Sequence, residues 1–173
     1  MMSSGALSVV LPTGWRRVDV GDGKGLSLTA LSKGAGQQLR SLVDDVADGF
    51  GATETTFAAA CFPPHEPSAL AASMIVNRLG DSPRTIGELE LELKAQGVTP
   101  LRRCSLGVGP AFERLATEVV EVDGDDVEVV SLQFFLPRPA MGSLLVSFST
   151  PVVPLADQFV AVFRAIADTM RLQ

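Results

Sequence analysis

The stretch ACFPPHEPSA, residues 60–69, holds the side chains best suited to covalent chemistry. Cys61 is one of two cysteines and His65 is the only histidine. A thiol beside an imidazole is the pairing nucleophilic catalysis uses, with the base taking the thiol proton and a carboxylate orienting the base. Glu66 is the one local carboxylate for that task. The intervening residues argue against the arrangement. Cys61 and His65 are four positions apart, as one helical turn would require, but Pro63 and Pro64 lie between them and disfavour a helix. The stretch reads as a proline-shaped connection between two strands, with His65 on a loop. A small enzyme using Cys61 and His65 stays as the alternative.

Other chemistries fail on residue count or spacing. A structural zinc site needs about four ligands in tetrahedral geometry. Cys61, His65 and Cys104 supply three, Glu66 would have to be the fourth, and no C-x-x-C is present. The segment GDGKGLS, 21–27, superficially resembles a phosphate loop, but only Asp22 separates its first two glycines and a strand follows it. DGDD, 123–126, is too short for a calcium loop and suits a hairpin turn. No serine lies in a G-x-S-x-G setting. Glu88, Glu90 and Glu92 read as a solvated helix face. The expectation is therefore no catalytic, cofactor-binding or metal-binding residues, and no cofactor.

Composition narrows the field further. The chain has 173 residues, of which 46% are hydrophobic and 20% charged, in keeping with a single domain. It has nine Phe, one Trp and no Tyr, so aliphatic residues must fill much of the core. The net charge of −6 and a pI near 4.7 repel phosphate backbones, which excludes nucleic acid as the expected partner. The pairs Arg16-Arg17 and Arg102-Arg103 read as solvated charges at strand edges. No run approaches the roughly 20 apolar residues needed to span a bilayer, so membrane insertion is not expected. The start of the chain carries no basic residue before its short apolar run, and a cytoplasmic protein with reduced thiols is expected. Arginine exceeds lysine and Ala, Gly and Val abound, a composition that GC-rich genomes such as those of actinobacteria encode.

The elements follow from periodicity. Strands are expected over 7–11, 15–20, 26–31, 55–62, 68–79, 101–108, 112–122, 127–136 and 144–149. Leu39, Leu42, Val43, Val46 and Phe50 recur at helical spacing within 37–50. ELELELK alternates like a strand, but its residues favour helix and β-branched residues are nearly absent, so 85–96 is read as helical, with Ser82-Pro83 as cap and first turn. A last amphipathic helix is expected over 154–172. Hairpins dominate and βαβ units are missing, which predicts an α+β fold with an antiparallel β-sheet flanked by helices. Phe134-Phe135-Leu136 and Leu144-Leu145-Val146 require burial on both strand faces, by helices, a dimer interface or an apolar ligand pocket.

Pro12, Gly14 and Trp15 in LPTGWRRVDV, together with the strand–turn–helix of 144–172, resemble the PsbP-like superfamily, including its DcrB-like and LpqN-like bacterial groups. The resemblance covers both ends of the chain and the middle only by element order. It implies an α/β/α sandwich and a non-enzymatic binding or assembly protein of unknown protein partner, with a secretion-associated role as one version. That superfamily has no shared catalytic set, so no site residues carry over. A homodimer is the expected assembly if the late apolar strands face a second copy, and a carrier of an apolar ligand is a further alternative.

Overall fold

A computed structural model describes residues 7–18, 20–21, 25–26, 33–50, 54–63, 70–80, 84–138 and 142–172. The elements run β1 (Leu7–Ser8), β2 (Trp15–Val18), β3 (Val20–Gly21), β4 (Gly25–Leu26), α1 (Lys33–Phe50), β5 (Glu54–Cys61) and β6 (Ala72–Leu79). They continue with α2 (Ile86–Ala95), β7 (Arg102–Leu106), β8 (Gly109–Val122), β9 (Asp125–Leu136) and β10 (Ser143–Thr150). A short 3-10 turn (Val153–Leu155) leads into α3 (Ala156–Asp168), and β11 (Arg171–Leu172) follows. Seven strands form one sheet in the order β2-β5-β6-β10-β9-β8-β7, and every neighbouring pair is antiparallel. The fold is α+β.

Strand alternation sends successive side chains to opposite faces, and helices cover both. Met74, Val76, Leu132, Phe134, Val146 and Phe148 pack with Val160, Phe163, Ile166 and Met170 at α3 and just beyond it. On the other face Ile75, Val129, Leu145 and Phe135 meet Leu39, Leu42 and Val46 of α1 and Leu89 and Leu93 of α2. The continuous apolar runs of β9 and β10 are thus buried by helices on either side, as such runs require. No helix among the described residues is long and apolar enough to cross a membrane.

The ambiguous ELELELK is helical. Thr85 caps it, its hydroxyl accepting from the Glu88 N–H, and Leu89 and Leu93 are buried while Leu91 points outward. Glu90 pairs with Lys94 at 2.9 Å and Glu92 with Arg84 at 2.5 Å. Ser82-Pro83 lies outside the described residues, as do 27–31 of the expected third strand.

Several boundaries differ from expectation, four of them informatively. The helix expected from residue 37 begins at Lys33. The strand expected from residue 68 begins at Ala72, although Ala71 already donates its N–H to the Cys61 carbonyl at 2.8 Å. The expected strand over 7–11 shrinks to β1, which joins β11 rather than the main sheet. The last helix stops at Asp168 instead of 172. Thr169 turns its hydroxyl back to the Ile166 carbonyl at 2.7 Å, and Arg171 and Leu172 then pair with Ser8 and Leu7. Side-chain-to-backbone competition of this kind ends helices, and apolar periodicity alone does not display it.

One close approach locks the end of α3 to the sheet. Gly107, in the turn between β7 and β8, lies against Arg171 and the Asp168 carbonyl. A Cβ at position 107 would sit 2.6 Å from that carbonyl oxygen. The Arg171 guanidinium could swing aside, but the carbonyl belongs to the backbone. Gly107→Ala is expected to cost about 2 kcal/mol through forced displacement of the turn or the helix end. An unchanged melting temperature in a thermal scan would contradict this.

Candidate functional site

Cys61 closes β5 opposite Trp15 and Ala72, and Cys104 lies in β7 opposite Ala111. Both thiols are free and half-buried on the α3 face. Burial pushes the Cys61 thiol up, and burial followed by the nearby Glu113 charge does the same at Cys104. Both therefore favour the protonated, weakly nucleophilic form. In the sheet order five strand spacings separate them, on the order of 24 Å, so they share neither a metal nor a disulfide. His65 and Glu66 lie outside the described residues. Among the described residues no group of three or more His, Cys, Asp or Glu converges to hold a metal.

Both basic pairs are exposed on the two edge strands of the sheet, as expected, and three of the four guanidinium groups also make a specific contact. Arg16 lies over Phe62 and Arg17 over Phe57, with 5.4 Å and 5.3 Å to the ring centroids. Arg102 donates to Glu113 Oε2 at 2.8 Å, and Arg164 of α3 donates to Glu113 Oε1 through Nη2 at 2.5 Å and Nε at 3.2 Å. Glu113 is only 6% exposed. Desolvation alone would raise its carboxyl, but the hydrogen bonds from Arg164 and Arg102 and their charges together outweigh it and hold its pKa below 4.5. Glu113 is thus a clamp, its carboxylate held by Arg102 of the edge strand β7 and by Arg164 of α3.

A different surface arises from unequal strand lengths. β8 and β9 pair from Phe112 with Phe135 to Val122 with Asp125, around Asp123-Gly124. Both turn residues have positive φ, 55° and 85°, the signature of the type I′ turn that closes two-residue hairpins. β7 is much shorter and pairs only with Gly109–Glu113. Residues 114–122 of β8 therefore have no outer strand among the described residues. In such a hairpin the pair flanking the turn, Val122 and Asp125, is hydrogen-bonded, so even-numbered residues of β8 bond inward to β9. Leu115, Thr117, Val119 and Glu121 turn their N–H and C=O groups outward.

On the α3 face this edge presents Leu115, Thr117, Val119 and Glu121. Leu115 and Thr117 stand opposite Leu132 and Val130, which belong to or border the α3-side core. Leu115 is 46% and Val119 63% exposed. The 3-10 turn packs against β9 nearby and exposes Val153 and Leu155. Two of the six large exposed hydrophobics among the described residues, Leu115 and Val119, therefore lie on the open strand itself.

Charge is graded along the same edge. The end next to β7 is basic, with Arg102 and Arg164 on the α3 face and Arg103 and Arg114 on the other. The hairpin end is acidic, with Glu121, Asp123, Asp125, Asp126 and Glu128. On the α1 side an open recess of about 530 Å³ is lined by Asp45, Phe50, Gln96, Val98, Arg114 and Glu118. Arg114 crosses it, bonded to Gln133 Oε1 at 2.9 Å and the Thr99 carbonyl at 3.2 Å. Deeper under α1, Ser73 and Ser147 have buried hydroxyls without a hydrogen-bond partner among the described residues.

The open edge was legible only indirectly in the sequence. Pro100 lacks the N–H a longer β7 would need, and Gly107 and Gly109 bracket its turn, so β7 cannot match a hairpin arm running to Val122. No protein-family model matches the chain, and no curated protein matches it.

Proposed function

We infer that the protein is a non-enzymatic binding or assembly protein that engages a protein partner through the open edge of β8. The observation that carries this reading is the outward backbone of residues 114–122 flanked by exposed Leu115 and Val119. A bare strand edge invites another strand, whose backbone supplies bonds while its side chains supply selectivity. Natural edges are commonly blunted by prolines, lysines or a covering loop, and residues 114–122 contain no proline or lysine. The resemblance to the PsbP-like superfamily supports the same reading, since its members are mainly accessory or binding proteins. Helices on both faces of an antiparallel sheet agree with the sandwich that resemblance implies. A cytoplasmic location and a link to secretion belong to the same proposal.

The test places a photo-crosslinking amino acid at position 119 in the full chain, expressed in its native cells. One defined adduct, lost when Thr117 is replaced by proline, is expected. The absence of any adduct, or adducts unaffected by Thr117→Pro, would overturn the reading.

A further inference from the structure

We propose that the strand taken up by this edge is β8 of a second copy, so that two sheets join antiparallel about a two-fold axis. This rests on reading the edge as an interaction surface, and it commits that surface to one occupant. Antiparallel self-pairing is favoured by the charge gradient. A two-fold axis across the edge brings the acidic hairpin end of each copy toward the basic end of the other. With the axis near Thr117, Glu121 and Asp126 then approach Arg102 and Arg164 on the α3 face, two cations that share the single carboxylate of Glu113, while Arg114 on the opposite face stays paired with Glu118 of its own copy. A parallel alignment of two copies would instead set like ends together.

The backbone pattern is also self-complementary. The outward groups belong to odd-numbered residues, and a two-fold axis through an odd residue pairs odd with odd. An axis through Thr117 faces Leu115 with Val119 of the second copy and Thr117 with itself. An axis through Val119 faces Val119 with itself. An axis through Glu118 would set two carboxylates side by side and is disfavoured. Either favoured register covers Val119, the more exposed of the two apolar side chains on this edge. Such an interface is isologous and closes after two copies, leaving no edge of β8 to recruit a third.

The experiment is analytical ultracentrifugation of the full chain between about 1 and 100 μM, beside Thr117→Pro and Val119→Lys. Proline at 117 removes an outward N–H that bonds nothing among the described residues of one copy, so the fold is expected to survive, with unchanged far-UV circular dichroism. The wild type is expected to dimerise, and Thr117→Pro to weaken the dimer about tenfold or more. Val119→Lys keeps the test alive should the proline variant fail to fold, and it too is expected to shift the protein to monomer. A wild type that remains monomeric at 100 μM overturns the proposal, as does a dimer indifferent to both folded variants. A monomer whose position-119 crosslinker captures a different protein overturns self-pairing alone and leaves the binding reading standing.

Discussion

Phe163→Ala is expected to lower the unfolding free energy by about 4 kcal/mol, the largest single effect predicted for this chain. Phe163 is fully buried and is the residue of α3 on which the aromatic part of the core converges. It stacks on Phe148 of β10 with 5.0 Å between centroids, and meets Trp15 edge-on at 6.2 Å and Phe159 at 6.0 Å. Offset stacking and edge contacts of this kind add to the burial itself. α3 has no side-chain cap at its start, so its hold on the sheet depends mainly on this face. Truncation leaves a cavity whose walls belong to three separate elements and cannot collapse together. Urea unfolding should show a lower midpoint with an unchanged slope. A loss below about 1 kcal/mol would mean that α3 is anchored elsewhere.

Glu113→Gln is expected to cost about 2 kcal/mol, because a carboxylate accepting from two guanidinium groups becomes a neutral amide. The figure is held down because Arg102 and Arg164 are 69% and 45% exposed and can return to water. The pH dependence separates this from loss of shape. The folded pKa of Glu113 lies below its ordinary value of 4.5, so in acid the unfolded chain binds the proton first. Its contribution is complete above that ordinary value and disappears as pH falls through the lower folded value. The difference in unfolding free energy between wild type and Glu113→Gln should accordingly be constant near neutrality and shrink below about pH 4.5. A difference that stayed flat into strong acid would show that the charge is not what matters.

Much of the fold was legible because it rests on local pattern. The alternation in 112–122 and 127–136, with DGDD between them, specified the hairpin, although its turn tightens to Asp123-Gly124 and its strands start at Gly109 and Asp125. The choice of helix for ELELELK depended on propensity outweighing alternation, and the burial of Leu89 and Leu93 bears that choice out. What failed was non-local. The pairing of Leu7 with Leu172 links residues from opposite ends of the sequence, and no short window shows it. Arg102 is the exposed edge charge that was expected, but its bond to Glu113 was not legible, because that partner lies across a strand pair and is shared with Arg164 of α3. The double-faced apolar strands suggested a dimer or ligand surface among other options. Helices use up those faces, and the candidate surface is instead a strand whose neighbour is too short.

The small β1–β11 ladder carries a mechanical consequence. Its antiparallel register places Leu7 against Leu172 and Ser8 against Arg171, so chain entering and chain leaving meet at the same end of the pair. Tension applied through the flanking chain would load these contacts one after another, as in opening a zipper, rather than shearing them all at once. After them the pull would reach Trp15 on one side and the end of α3, against Gly107, on the other. Under traction this domain should therefore yield stepwise from its seam, with the strands of the central sheet the last to part.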